Sequence, residues 1–430
     1  MAGQWRRDTF HDEPTQPLEA GLSPDHSPPA GTARRSAPDA PLWLLTMISF
    51  SGTMGMYIFL PAMPYAARDL GASAATLQLT VGMYLIGLAL GQLVYGPLSD
   101  QFGRRPVLMA GLALFTAAGL GATWSSDAST LITMRLLQGL GGSAGLVLGR
   151  AMVRDTAVAG DAARRMALLN LTVTIGPGIA PVLGAVLAGT LGWRSVLLAL
   201  ALLGVANLLF CWLRLGETRP PDGAHTSPWS GLRGNYAVLL RSRTFQCNAW
   251  GGSWATTAMY GLFTATPFIL VQQLDRPLHE VGLFLTMLVS GLWFGSLLAL
   301  RLIRQFTVRR VLVAASQAGL AMAAAFLALV ALDQLSLLAF AILMFAFSVC
   351  VGVTAPTALA EAVSVDPAVV GTASGIYGFL QMAVGAACST LVGLGSDPAL
   401  SSGVVLVAAG ILSQGCFWLG APTRQPPPGS

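Results

Sequence analysis

Residues 96–106 read GPLSDQFGRRP and connect two long apolar runs. Gly96, Asp100, Gly103, Arg104 and Arg105 follow the pattern G-x-x-x-D-x-x-G-R-R. The first glycine permits close approach of neighbouring helices, and the second permits a tight turn. The aspartate and the two arginines can form ion pairs across the gap beside the loop. A basic turn needs neither the aspartate nor both glycines, so we predict a conformational switch loop at these five positions.

The chain around this loop is apolar throughout. Of its 430 residues, 54% are hydrophobic and only 10% are charged, and the mean hydropathy is +0.65. Soluble domains carry about 25% charged residues, and about 20 apolar residues in a helix span a bilayer. We therefore predict an all-α membrane protein with twelve transmembrane helices, at 42–62, 77–98, 106–125, 130–152, 166–189, 194–214, 247–271, 280–300, 310–331, 336–357, 370–393 and 403–420.

Arginines mark alternate connections between these spans, and the sequence contains no lysine. One set of connections holds the pairs Arg104-Arg105 and Arg309-Arg310, whereas the other set holds only Arg68, Arg194 and Arg276. Positive residues concentrate on the cytoplasmic side of a membrane. This asymmetry predicts a multi-pass protein of a bacterial inner membrane with both termini in the cytoplasm.

The longest connection divides the spans six and six. We predict a disordered cytoplasmic tail at 1–41, a six-helix bundle at 42–214, a cytoplasmic linker at 215–246, a second six-helix bundle at 247–420 and a cytoplasmic tail at 421–430. The second arginine pair repeats the first one half-chain later. Duplicated bundles are a common construction of transporters, so we expect the two halves to be pseudo-symmetric.

Further motifs follow the switch loop. They are Arg135-x-x-Gln138-Gly139, RAMVRD at 150–155, GPGIAPVLGA at 176–185, GWR at 192–194, LGET at 215–218 and YAVLLRSRTF at 236–245. With GPLSDQFGRRP, this set resembles the major facilitator superfamily, and within it the bicyclomycin- and chloramphenicol-resistance branch of drug:proton antiporters. The resemblance implies twelve helices in two bundles, drug export, proton coupling, and ion pairs at a cytoplasmic gate formed by Arg150, Arg154 and Asp155.

Arg135 lies inside the fourth predicted span, where a charge is costly. It could extend to the nearer membrane surface, but buried charges more often mark a transport pathway. The resemblance places it beside the central cavity. We name Arg135 as a pathway residue, together with amide and aromatic candidates at Gln138, Tyr57, Tyr84, Asn170, Trp254, Tyr260 and Gln381. In the fifth span, Gly176, Pro177, Pro181 and Gly184 predict a kink with close packing.

The sequence departs from the branch in its first span. Members carry an aspartate before a Met-Tyr pair, whereas Gly55 stands before Met56-Tyr57 here. No Asp, Glu or His lies in the middle of any predicted span. Proton coupling, which the resemblance implies, therefore lacks its usual carrier. Arg135 also lacks a carboxylate partner, so its partner must be a backbone carbonyl, an amide or phenol, water, or the substrate itself. An anionic or chelating substrate would fit that vacancy.

The sequence contains no nucleotide-binding P-loop, metal-ligand spacing or nucleophile elbow. We predict no enzyme activity and no cofactor. The first interpretation is a secondary exporter of small amphipathic drugs, and the alternative is a dedicated exporter of one endogenous metabolite such as a siderophore. A nutrient importer and a non-transporting receptor come third. The expected partners are a small-molecule substrate, the lipid bilayer and protons, without nucleic acid, for a monomeric chain.

Overall fold

The computed structural model describes residues 40–156, 161–218, 236–364 and 370–420, and these residues form helices and connections without a β-strand. Nearly all of the two predicted tails and most of the predicted linker lie outside the described residues. The domain boundaries therefore stay a prediction.

The first half of the chain contains seven helices. They are α1 (Leu42–Tyr57), α2 (Met63–Asp69), α3 (Ala74–Phe102), α4 (Arg104–Thr123), α5 (Ala128–Thr156), α6 (Ala162–Leu191) and α7 (Trp193–Arg214). A 3-10 turn at Leu60–Ala62 joins α1 to α2. These two helices together occupy the place of one span.

The second half repeats this plan after a short helix α8 at 236–241. Its helices are α9 (Arg243–Thr257), α10 (Met259–Phe268), α11 (Leu278–Leu302), α12 (Val308–Ala331), α13 (Leu337–Val363), α14 (Val370–Gly393) and α15 (Pro398–Leu419). A π-helical segment, Ile269–Gln273, extends α10.

Eleven helical stretches of the described residues are long and apolar enough to cross a membrane, and α6 supplies the twelfth predicted span. The predicted all-α, twelve-helix membrane fold is confirmed. Three predicted boundaries differ from the structure by five residues or more. The tenth span ends at Val363 instead of 357, because its helix continues past the apolar run. The first span breaks after Tyr57 and continues to Asp69, because Pro61 clashes with the carbonyl four residues earlier and offers no N–H. The last span begins at Pro398 instead of 403, because the Asp397 side chain caps it by accepting from the Leu400 N–H.

Glycines at equivalent positions hold the helices of each half together. A Cβ at Gly87 of α3 would lie 2.2 Å from the Leu136 carbonyl oxygen of α5. Its counterpart on α11 is Gly295, where a Cβ would lie 2.1 Å from the Val349 carbonyl oxygen of α13. Both pairs follow the small-xxx-small rule for membrane helices, with Gly91 and Gly291 completing the motifs. This repeated packing is the physical form of the pseudo-symmetry.

The two halves meet where α3 packs on α14 and where α6 packs on α11. The Ser389 hydroxyl faces the Gln78 carbonyl at 3.4 Å, and the Thr286 hydroxyl donates to the Gly178 carbonyl at 3.1 Å. We call the end of the bundle that carries residues 96–106 the motif face, and the other end the opposite face. Both contacts lie on the side of the opposite face.

Candidate transport pathway

Arg135 is completely buried on α5, between α1 and α3. Its guanidinium donates to the Gln138 side-chain oxygen at 2.7 Å and to the Gly55 backbone carbonyl at 2.8 Å. The pairing with Gln138 follows from their spacing of one helical turn. Gly55 contributes the carbonyl oxygen from the position where the related antiporters carry an aspartate.

Two aromatic rings complete the surroundings of this charge. The guanidinium carbon lies 4.3 Å from the centre of the Tyr84 ring and 5.3 Å from that of Phe59. Ring faces attract cations, most strongly where water is excluded. The charge of Arg135 is therefore stabilised by dipoles and ring faces. Phe59 lies four residues after Gly55 in the sequence.

Gly55 is the residue that this arrangement requires. The Tyr84 hydroxyl donates to the Gly52 carbonyl at 2.6 Å. A Cβ at Gly55 would lie 2.5 Å from that hydroxyl oxygen. The position of Tyr84 is thus compatible with glycine at position 55 and not with an aspartate.

Two donors in this cluster have no acceptor among the described residues, namely Nε of Arg135 and Nε2 of Gln138. Buried donors normally bind an acceptor or an ordered water. The sequence hypothesis of an anionic substrate at Arg135 stays a hypothesis, because the side chain is 0% exposed in this conformation.

An aromatic cluster of Tyr57, Tyr260 and Phe263 joins α1 to α10 across the two halves. The ring centres of Tyr57 and Phe263 are 5.4 Å apart in an edge-to-face arrangement, and those of Tyr260 and Phe263 are 6.5 Å apart. The Tyr57 hydroxyl also interacts with the Tyr260 hydroxyl. We call these three residues the aromatic seal. It lies beside the Arg135 cluster, because Tyr57 stands between Gly55 and Phe59 in the sequence.

The other pathway candidates do not join this group. Gln381 donates to the Thr256 hydroxyl at 3.1 Å, inside the second half. Trp254 lines a crevice among α9, α12, α13 and α15, and its predicted place in the pathway stays a prediction. Helix phase alone could not decide this, because α9 has helices of its own half on several sides. The Asn170 side chain lies outside the described residues.

The switch loop makes its ion pairs around Arg104, whose side chain is 6% exposed. Its guanidinium lies 2.9 Å from Asp100 and 3.0 Å from Asp155, and it also donates to the Ser99 hydroxyl. These partners all belong to the first half. Among the described residues, the ion pairs of Arg104 stay within the first half, because α5 brings Asp155 directly to the loop. Ion pairs across the gap stay a prediction.

Gly103 makes the predicted tight turn, with φ of +92°. The carboxylate of Glu217 accepts the backbone N–H groups of Arg104 at 3.0 Å and Arg105 at 3.1 Å. A Cβ at Gly103 would lie 2.7 Å from that carboxylate. Glu217 therefore caps the start of α4, a role that sequence reasoning missed although LGET was noted. The signal in the sequence was Glu217 itself, the acid within LGET, a motif that resembles the antiporter branch.

Two predictions about this face need correction. A Cβ at Gly96 would meet no atom within 4 Å, so this glycine makes no close helix contact with the described residues. Of the predicted gate residues, Asp155 forms an ion pair within the described part of the chain. Arg150 and Arg154 are exposed and form no ion pair or hydrogen bond with described residues.

The second half has a looser copy of this ion pair. Arg309 lies 4.0 Å from Glu361 near the end of α13 and donates to the Phe417 carbonyl of α15. In the first half, Arg105 donates to the equivalent Trp212 carbonyl of α7 at 3.0 Å. The repeated arginine pair in the sequence thus corresponds to repeated contacts.

The glycine- and proline-rich segment of α6 forms one continuous helix that contains Pro177 and Pro181. Its close packing is clear at Gly184, where a Cβ would lie 1.9 Å from the Ile58 carbonyl oxygen. Gly176 faces the Phe50 ring, and a Cβ at Gly176 would lie 3.0 Å from that ring. The predicted kink itself stays a prediction.

Comparison with known proteins identifies the family. The sequence model of the Major Facilitator Superfamily matches residues 45–390. The chain belongs to this superfamily. Its members are transporters, so the chain is a membrane transporter and not an enzyme.

Sequence relatives confirm the expected branch. The chain is 34% identical over 208 residues to multidrug resistance protein D of Escherichia coli, covering 48% of this chain and 51% of that protein. It is 25% identical over 358 residues to a bicyclomycin resistance protein homolog of Haemophilus influenzae, covering 82% and 88%. An uncharacterized MFS-type transporter, YdgK of Bacillus subtilis, is 27% identical over 386 residues, covering 87% and 94%.

Solved structures share the fold. A bacterial homolog of the human lysosomal transporter Spinster, in an inward-facing and unoccupied conformation, superposes with a TM-score of 0.73 at 15% identity. The superposition covers 88% of this chain and 96% of that structure. A D-xylose-proton symporter gives a TM-score of 0.68 at 14% identity, covering 86% and 96%.

Proposed function

We propose that this transporter exports small amphipathic molecules from the cytoplasm across a bacterial inner membrane. The two halves would rock against each other, so that a central pathway opens alternately to the two sides. The motif face and both termini would lie in the cytoplasm, because the arginine-rich connections are at that face.

One observation carries this proposal. The halves meet through the aromatic seal beside the Arg135 cluster, and α3 and α14 stay in contact as far as Gln92 and Gly378. One turn closer to the motif face, a Cβ at Gly96 or Gly375 would meet no atom within 4 Å. A pathway that is closed in its middle and less closely packed at one end fits one of the two states of alternating access.

Drugs are the first substrate class of the proposal, because several relatives carry drug-resistance names. The multidrug, bicyclomycin and chloramphenicol resistance proteins all match this chain. A substrate with an aromatic or apolar body would pack on the tyrosine and phenylalanine rings of the pathway.

Proton coupling is the finer part of the proposal, and the family resemblance implies it. A proton carrier needs a titratable group in the pathway. The acids of the described spans lie near helix ends, with Asp100 and Asp155 beside Arg104 at the motif face. These two carboxylates are the groups to examine first.

A second candidate function is the export of one endogenous metabolite. It is favoured by Gly55, whose carbonyl replaces the carboxylate of the drug:proton antiporters. A pump with a changed central site would be expected to have a narrower substrate range.

Deletion of the gene in its own host tests both functions. We expect the deletion strain to become more sensitive to chloramphenicol or other amphipathic drugs, with restoration by the wild-type chain and not by Arg135→Ala. Unchanged drug sensitivity with intracellular accumulation of one metabolite would replace the first function with the second. Neither change would contradict export.

A further inference from the structure

The charge of the pathway is the feature that the proposed function does not explain. Arg135 and Arg150 lie on the same helix, 15 positions apart, which is about 22 Å along the axis. The sequence contains no acid in the middle of any span. The substrate therefore meets positive charge without a compensating carboxylate.

Arg150 faces the space between the halves, as the packing of α5 indicates. Gly141 abuts Phe115 of α4, Gly145 abuts Ile48 of α1, and Gly139 abuts Tyr84 of α3. The remaining sector of α5, between α1 and α3, carries Arg135, Leu146 and Arg150. The contacts α3–α14 and α6–α11 flank this sector, so it faces the second half and not lipid.

The surroundings of Arg150 leave its charge available. It is exposed, and it forms no ion pair or hydrogen bond with the described residues. Asp155, the nearest acid in sequence on α5, is bound to Arg104. Deeper in the pathway, the Arg135 cluster adds a second positive charge and two donors without an acceptor.

A narrow cleft with one sign of charge and apolar walls concentrates the electrostatic field and attracts the opposite sign. A cation would be repelled at Arg150, and no carboxylate in the middle of a span would compensate it at depth. An anion would gain at Arg150 in this conformation, whereas the Arg135 side chain is 0% exposed. The gain at Arg150 would fall with salt, because the Debye length is about 10 Å at 0.1 M.

We infer that this transporter selects substrates that carry a negative charge, such as a carboxylate or sulfonate on an aromatic body, and that Arg150 is the residue that sets this preference. The inference rests on the proposed export function and narrows its substrate class.

Fluorescein and rhodamine 123 test it, because they share a xanthene core and have opposite charges at pH 7.5. Binding of each dye to the purified full-length protein is measured by fluorescence anisotropy at low salt. We expect fluorescein to bind about tenfold more tightly than rhodamine 123, equivalent to one Arg–anion contact. Tighter binding of rhodamine 123 by the wild type would overturn the inference.

Variants then assign the preference to Arg150. We expect Arg150→Gln to weaken fluorescein binding about fivefold or more, and Arg150→Glu to favour rhodamine 123. Arg304→Gln is the matched control, since Arg304 is exposed just after α11 and its side chain has no partner among the described residues, and its effect should stay below about twofold. Equal fluorescein binding by wild type and Arg150→Gln would overturn the role of Arg150.

Export of neutral chloramphenicol from the same preparations, in sealed liposomes, separates this inference from the function. Chloramphenicol export with preferential rhodamine 123 binding would refute anion selection and leave the exporter intact. Fluorescein binding without any export would support anion binding and contradict the proposed function.

Discussion

The guanidinium of Arg135 donates to the backbone carbonyl of Gly55 at 2.8 Å, linking α5 to α1 in the middle of the pathway. A hydrogen bond to a backbone carbonyl depends on the position of the helix that carries this carbonyl, here α1. The same α1 contributes Tyr57 to the aromatic seal. Gly55, which binds the guanidinium of Arg135, and Tyr57 of the aromatic seal are thus two residues apart on α1. A shift of α1 would affect both contacts.

Replacement of Arg135 should stop transport. We expect Arg135→Ala to lower the initial rate of drug export in everted vesicles by about tenfold or more, because an intramembrane charge in a pathway is functional. Arg135→Lys should fail as well, since one ammonium group cannot reproduce the planar fork that binds Gln138 and Gly55. Membrane content is checked by immunoblot, with Arg304→Gln as the control, because Arg304 is exposed just after α11. Wild-type rates in Arg135→Ala would refute the pathway role.

Gly55 should tolerate no side chain. A Cβ there would lie 2.5 Å from the Tyr84 hydroxyl oxygen and would displace it from Gly52. We expect Gly55→Ala to lower stability by about 1–3 kcal/mol, the usual cost of overpacking, measured as a lower melting temperature in detergent. Gly189→Ala is the matched control, because the nearest atom to a Cβ there would be the Tyr65 hydroxyl oxygen at 3.8 Å. Equal melting temperatures for the two variants would show that the Tyr84 packing is wrong.

Gly96 should separate stability from function. Its surroundings are open here, so Gly96→Ala should leave the melting temperature unchanged. If α3 closes against the second half in another state, the added methyl group should slow transport several-fold while the protein remains folded. Export rates and melting curves of the one variant give both answers. An unaffected rate would mean that Gly96 has no switch role.

The ion pairs at the motif face should differ in strength. Asp155 is 3.0 Å from Arg104, whereas Glu361 is 4.0 Å from Arg309. Removing one partner of a buried pair costs more than removing one of a loose pair. We expect Asp155→Asn to lower the melting temperature more than Glu361→Gln does. The reverse order would contradict the arrangement around Arg104.

The sequence was sufficient for features with local causes. Apolar length located the twelve spans within a few residues, Gly103 identified the turn, and the one-turn spacing placed Gln138 beside Arg135. The break at Tyr57 was also readable, because Pro61 lies four residues later. The capping aspartate before Pro398 was a similar signal that the apolar run concealed.

Features that depend on distant segments were not predictable. Glu217 caps α4 from more than one hundred residues away, and nothing in LGET says which N–H groups it binds. Trp254 and Gly96 depend on which side of a helix faces its own half, and neither spacing nor composition determines that. The partner of Arg135 was predicted to be a carbonyl, an amide, a phenol, water or substrate, and three-dimensional contact selected Gly55, Gln138 and the Tyr84 ring face.

Alternating access can be tested with a reversible cross-link on the side of the opposite face. A Cβ at Gly82 of α3 would lie 3.0 Å from the Thr390 hydroxyl oxygen of α14, so cysteines at these positions are within disulfide range. The variant Gly82→Cys/Thr390→Cys is made in a background without the five native cysteines. The single variants Gly82→Cys and Thr390→Cys in the same background serve as controls, because neither can form the disulfide between the halves.

The most direct measurement is chloramphenicol flux into sealed liposomes that contain only the purified Gly82→Cys/Thr390→Cys protein. We predict flux in the reduced protein, loss of flux when the disulfide forms, and recovery on reduction. Unchanged flux with the disulfide in place, or no flux from the wild type, would contradict export by movement of the two halves.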